Sequence, residues 1–244
     1  VPPTADPGAD AAALSAADAA AGTDGRRYGG ADADERRARR RLALVAAGLE
    51  LFGELGYHNV SVKKVCERAG LTQRYFYESF ADRKALLIAV YDHCVAVTRH
   101  AAVAAAGGFL AHPTGVAPAD VRAAARASLG AYLRELSADP RRARVVLVEV
   151  VGIDPAVESV RLRAIHEWAD LILTLALGGR EPSASQRLAA VGLVGAFTQL
   201  LVDWYFSSVS PEPVDIGTTE PVELSMVLDV CVEMIAATHE RLLS

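Results

Sequence analysis

The chain has 244 residues, 52% of them hydrophobic but only 6% aromatic, and a net charge of -5. That length gives room for one large or two modest domains with a substantial core, and the heavy use of Ala and Leu favours helices. No uncharged apolar run reaches the roughly 18–20 residues of a membrane span, and the first residues lack the basic-then-apolar order of a secretory signal.

Residues 1–33 are rich in Ala, Asp, Gly and Pro, carry five acids and two bases, and have almost no large apolar side chain. Such a segment buries too little surface to offset chain entropy, so it is predicted to be a disordered tail. Within it, residues 9–21 are Ala-rich enough for transient helix, and Arg26, Arg27 and Tyr28 are placed to touch a nearby polyanion. A first helix is predicted from about Asp34 to Leu55. It opens on Arg36, Arg37, Arg39, Arg40 and Arg41, with Leu42, Val45, Ala46, Leu49 and Phe52 as its buried stripe.

Two short helices follow. Ser61 is a good N-cap, and Val62, Val65, Cys66 and Ala69 recur at the spacing of one helix face. Gly70 stands where a helix ends in a left-handed residue, and Thr72 can cap the next helix, which Phe76 and Phe80 anchor from one side. A rigid short helix showing Gln, Arg and Tyr outward behind a tight Gly turn is a helix-turn-helix, suited to a DNA major groove. Residues 34–84 carry eleven bases and seven acids, whereas residues 85–244 carry twelve bases and eighteen acids. Only the helix-turn-helix region is basic, as a domain facing a polyanion should be.

A fourth helix is expected from Asp82 to about Ala106, with Arg83 and Lys84 in its first turn near the DNA backbone. After a Gly/Pro loop at 107–118, helices are predicted at about 119–137, 140–152, 155–177, 184–207 and 221–242. Residues 145–151 (VVLVEVV) are β-branched enough for a strand, but no partner strand exists, so the chain reads as all-α. Residues 188–206 and the last helix are apolar on nearly every side, Val227 and Leu228 included, which calls for burial all round. A second copy of the chain is expected to supply it, the alternative being burial within one large monomeric core, and Gly192 and Gly195 permit close helix approach.

No hydrolase, zincin, P-loop or dinucleotide motif occurs, so no catalytic residue and no cofactor is assigned. Cys66, Cys94 and Cys231 are far apart without a CxxC pair, as expected of reduced thiols in a cytoplasmic protein. His93 and His100 lie two turns apart, too far to share a metal unaided, and no metal site is predicted.

The run RRARRRLALVAAGLELFGELGYHNVSVKKVCERAG, followed by the second short helix and ADRKALLIAVYD, resembles the N-terminal domain of TetR-family transcriptional regulators. Ala46, Phe52, Gly53, Gly56, Val65, Ala69, Gly70, Tyr77, Phe80, Ala85 and Leu86 carry the likeness over roughly residues 36–91. Arg83 stands where that family usually has Lys, and Ala81 where it commonly has Pro. The resemblance implies a tail (1–33), a helix-turn-helix DNA-binding domain (34–81) and a helical effector-binding and dimerisation domain (82–244). It assigns Gln73, Arg74 and Tyr75 to base edges, and Ser61, Lys63, Thr72, Tyr77 and Arg83 to the DNA backbone, which agrees with Arg forking onto guanine and Gln onto adenine. Placed against a duplex, Arg40 and the other arginines at the start of the first helix, Arg41 included, can add phosphate contacts. It further implies a homodimer on double-stranded operator DNA, with paired C-terminal helices, and a small-molecule effector in a cavity near Tyr132, Glu149, His166 and Trp168. Trp204 and Phe197 are expected in the core or dimer seam. A repressor released from a palindromic operator by its effector is the expected function, with no membrane partner. An effector-independent regulator or activator is the alternative, and an all-α enzyme or scaffold the rival of another class.

Overall fold

A computed structural model describes residues 9–109, 115–210, 214 and 221–243, with the backbone alone over 9–31. Expectations for residues 1–8 and for the side chains of Arg26, Arg27 and Tyr28 lie outside the described residues. Among those described, all regular structure is helical and no strand occurs.

The first helix, α1, runs Ala9–Leu55, so its backbone is helical well before the expected start at Asp34. Alanine has the highest helix propensity, which favours this continuation in spite of Gly22, Gly25, Gly29 and Gly30. The buried stripe also differs from the expected one. Leu42 is 63% exposed and Ala46 is exposed, while Leu44, Val45, Leu51 and Phe52 are buried. The physical reason is that α1 packs on two sides at once, against the short helices and α4 (Arg83–Ala106) and against α6 (Pro140–Arg144).

The other helices are α2 (Val62–Ala69), α3 (Gln73–Ser79), α5 (Val121–Ser137), α7 (Pro155–Leu177), α8 (Ala184–Trp204) and α9 (Leu224–Thr238). Ser61 caps α2 by accepting from the Lys64 amide at 3.2 Å, and Asp82, Asp154 and Ser183 cap α4, α7 and α8 in the same way. Helices α6, α8 and α9 each run on into a five-residue π-helical turn, at Val145–Glu149, Tyr205–Val209 and His239–Leu243. The β-branched run at 145–151 therefore starts as a π-helical turn, its helical path imposed by packing between α1, α4 and α6.

Helices 83–106 and 184–209 are each long and apolar enough, by length and composition, to cross a membrane. The expectation drawn from uncharged runs missed this, because occasional charged residues interrupt both. In this fold α4 packs chiefly on α5, and α8 on α7 and α9. One core joins Phe52, Val65, Phe76 and Leu86 to Val145, Val157 and Val160, so the N-terminal helices share their interior with the start of the body. A second gathers Tyr132, Leu136, Leu147, Leu201, Trp204 and Val227.

Candidate nucleic-acid interface and ligand cavity

The helix-turn-helix follows from its sequence. Gly70 adopts φ 65°, and the Leu71 amide donates to the Cys66 carbonyl at 2.9 Å, closing α2 in a left-handed turn. Phe76 is fully buried and Phe80 nearly so, their rings 5.8 Å apart, and together they fix α3 from behind. Thr72 sits at the N-cap of α3, yet its hydroxyl makes no cap hydrogen bond. Ser61, Lys63, Thr72, Gln73, Arg74 and Tyr77 are exposed, with the Arg74 side chain 85% accessible. These are the candidates a groove could receive.

Three other expected DNA contacts are already engaged within the protein. Arg40 stacks over the half-buried Tyr75 ring, 4.4 Å from guanidinium carbon to centroid. Arg83 stacks over Tyr57 at 4.2 Å and donates to the Val60 carbonyl, which ties α4 to the turn before α2. Lys84, expected near the DNA backbone, instead binds Asp154 at 3.1 Å, and the carboxylate holds its ammonium above the usual lysine range. Sequence reasoning did not foresee the partners of Arg41 and Glu78. Arg41 stacks on Phe80 and donates to the Ser79 carbonyl at 3.0 Å, and Glu78 accepts from Arg74 Nε at 3.1 Å. The i, i+4 spacing of Arg74 and Glu78 was the available signal.

The head is clasped to the body at the C-terminal end of α1. The Glu149 carboxylate accepts from the Tyr57 amide at 2.6 Å and from Arg144 Nε at 2.7 Å, while Arg144 also donates to the Glu54 carbonyl at 3.1 Å. Gly56, at φ 80°, leaves room for both side chains, and a Cβ at Gly53 would lie 2.6 Å from Arg141 Cα. Two of the glycines that carry the sequence resemblance, Gly53 and Gly56, thus serve this junction. Glu149 is therefore not a cavity residue: its carboxylate is taken up by the junction with α1.

The body holds a partly open cavity of about 520 Å³ between α4, α5, α7, α8 and α9, within the range of small-molecule sites. Tyr132 and Trp168 line it as expected, in edge contact at 5.3 Å, with Phe197 beyond at 5.4 Å from Tyr132. His166 is exposed and does not line it. Residues two apart on a helix point some 200° apart, so an inward Trp168 turns His166 to solvent. Trp204 and Phe197 belong to the second core, as expected. Arg161, the sole Lys, Arg, Asp or Glu among the described lining residues, is bridged to Glu158 at 3.0 Å.

Burial pushes the Tyr91 phenol up to about 12 and the Cys231 thiol up to about 11, and raises Tyr132 further, so these lining groups stay neutral near pH 7. All three cysteines are free and buried, and no cluster of three potential metal ligands occurs among the described residues.

Residues 44–90 match the family model of bacterial regulatory proteins, tetR family. No match is found among curated proteins. Among solved structures, the fatty acid degradation regulator FadR from Bacillus halodurans is similar at 16% identity and a TM-score of 0.59, over 82% of this chain and 94% of that one. FadR from Bacillus subtilis, solved in complex with stearoyl-CoA, is similar at 13% identity and a TM-score of 0.60, over 80% of this chain and 97% of that one. A TetR-like transcriptional regulator from Rhodococcus sp. RHA1 is similar at 19% identity and a TM-score of 0.54, over 80% and 93%. Residues 44–90 carry the N-terminal domain of the tetR family of bacterial regulatory proteins, and the chain as a whole has the fold of that family's regulators.

Proposed function

We propose that this chain is a dimeric, sequence-specific DNA-binding regulator acting in the cytoplasm as a repressor, released from its operator when an apolar small molecule fills the cavity of the body. The observation that carries the reading is the exposed face of α3. Gln73, Arg74 and Tyr77 project from a helix whose other side is locked by Phe76 and Phe80, the arrangement that direct readout in a major groove requires. Gln73 and Arg74 then read base edges with Tyr75 beside them, while Ser61, Lys63, Thr72 and Tyr77 hold the backbone. Arg40 and Arg83 support α3 and α4 from behind.

A homodimer is supported by the outer faces of α8 and α9. Leu188, Met226 and Val230 are 74%, 59% and 44% exposed, and a Cβ at Gly192 or Gly195 would meet open space. Val227 is only 2% exposed and packs inside the monomer, so the seam runs through its neighbours instead. The effector's class is supported by the lining, in which one charged side chain is already paired, and by the stearoyl-CoA held by a protein of the same fold. A hydrocarbon-bearing effector fits such walls.

Retardation of duplexes selected from a random pool tests the reading. Binding should weaken steeply with salt, and stearoyl-CoA offers a first probe. A ligand that quenches Trp168 fluorescence in a Trp204→Phe background should lower operator affinity, and operator should lower ligand affinity by the same factor. Retardation equal for selected and unselected duplexes would contradict sequence-specific regulation.

A further inference from the structure

We propose that Glu78 is a specificity-determining positioning residue, which holds Arg74 so that only the terminal Nη1/Nη2 edge of its guanidinium is offered to a base. The proposal rests on the DNA-reading function given above. One oxygen of Glu78 accepts from Arg74 Nε at 3.1 Å, and the other faces an Arg40 nitrogen at 3.9 Å. Arg40 is itself fixed, its guanidinium stacked 4.4 Å over Tyr75 and its side chain 25% exposed. Glu78 therefore stands between an anchored cation on α1 and an exposed one on α3. The Arg74 side chain, 85% exposed, has no other partner among the described residues and would otherwise sample many rotamers.

Two consequences follow from the chemistry. A guanidinium has five donors in one plane, and guanine presents two acceptors, O6 and N7, on its major-groove edge. With Nε committed to Glu78, the remaining fork is the end-on Nη1/Nη2 pair, whose geometry suits those two acceptors. Pre-ordering also reduces the rotamer entropy lost when the base contact forms. The second consequence is electrostatic. A carboxylate on the face turned to DNA repels phosphates, so it lowers affinity for every sequence, while the operator guanine alone recovers the loss through Arg74. Exclusion of water in the groove strengthens the Glu78–Arg74 contact beyond its value on an exposed surface. Both effects widen the gap between operator and unselected DNA.

The test compares base-preference profiles of the full-length chain on a random duplex pool for the parent, Arg74→Ala, Glu78→Ala, Glu78→Gln and the Arg74→Ala/Glu78→Ala double variant. The parent should prefer guanine at one position per half-site, by about 5- to 150-fold, and Arg74→Ala should lose that preference. Glu78→Ala should lower that preference about two- to tenfold at the same position alone, bind unselected duplex more tightly, and cause no further loss of guanine preference in the double variant, which should keep the tighter unselected binding. Glu78→Gln, which keeps an acceptor for Nε but no charge, should retain part of the preference and share the tighter unselected binding. Both single Glu78 variants should melt with the parent, since an exposed i, i+4 pair adds little to folding.

If Glu78→Ala shifted all sequences equally and kept the guanine preference, Glu78 would be a surface charge only and the proposal would be overturned. It would equally be overturned if Glu78→Gln matched the parent on both selected and unselected DNA, or if Arg74→Ala kept the preference. Failure of the parent to enrich any sequence would instead refute the DNA-reading function itself, with Glu78 falling as its corollary.

Discussion

Replacing Glu149 should loosen the junction between the DNA-reading head and the body. Its side chain is 9% exposed and accepts from the Tyr57 amide at 2.6 Å and from Arg144 Nε at 2.7 Å. Glu149→Ala strands a buried backbone N–H and leaves Arg144, 26% exposed, with only the Glu54 carbonyl. Breaking one side of such a buried pair costs about 3 kcal/mol. For a protein of this size that corresponds to a fall in melting temperature of roughly 6–12 °C. Glu149→Gln keeps an acceptor for the Tyr57 amide and gives up only the ion pair, so it should cost about 1 kcal/mol. Arg144→Ala should resemble Glu149→Ala, and the double variant should be more stable than the two single losses added, with a coupling of about 1–2 kcal/mol. Calorimetry at fixed protein concentration measures this, because a dimer's melting temperature depends on concentration. Glu149→Ala melting within 2 °C of the parent, or strict additivity with Arg144→Ala, would refute the clasp.

Three further outcomes follow from single features. Gly53→Ala adds a methyl group 2.6 Å from Arg141 Cα, which should destabilise by about 1–3 kcal/mol; a more stable variant in urea unfolding, as helix propensity alone would give, contradicts the close approach of α1 and α6. Met226→Glu or Val230→Glu should yield a folded monomer by light scattering, whereas Val227→Glu, at a position 2% exposed, should lower the unfolding midpoint; a Met226→Glu/Val230→Glu variant that stays dimeric would exclude that face. Burial, aided by Arg180, holds His239 below the ordinary imidazole range. Above its unfolded value the residue is neutral in both states. As pH falls below that value the unfolded chain gains the proton first, so stability should decline until the folded value is passed. His239→Gln should flatten that part of the pH–stability curve, and an unchanged curve would rule His239 out as its cause.

Local signals made the reading head legible. Ser61, Gly70, Phe76 and Phe80 act within a few residues of themselves, so cap, turn and anchor could be read from spacing and appear in the structure. Helix α7 matched its predicted bounds, 155–177, because Pro155 and Gly178 mark its ends. The partners of the charged residues were not legible. Arg83 meets Tyr57 and Val60, Lys84 meets Asp154, and Glu149 meets Tyr57, contacts made across 23, 70 and 92 residues. Composition and periodicity carry no information on such pairings. The cavity was half legible. An aromatic cluster could be guessed from Tyr132 and Trp168, but which polar neighbours face inward depends on helix rotation, and so His166 and Glu149 were misplaced. The phase of α1 failed for a related reason, since a helix packed on two sides has no single stripe.

In the function proposed above, two copies of this chain read DNA through paired α3 helices. The most direct measurement is selection of the full-length protein on a random duplex pool, followed by binding of the enriched duplex across a salt series. The enriched duplex should carry an inverted repeat whose half-site centres lie about one helical turn, roughly 34–36 Å, apart. Affinity for it should exceed that for unselected duplex by about 10³-fold or more, and Arg74→Ala should abolish most of that margin. Enrichment of no sequence, or of a single asymmetric site bound by one copy, would contradict it.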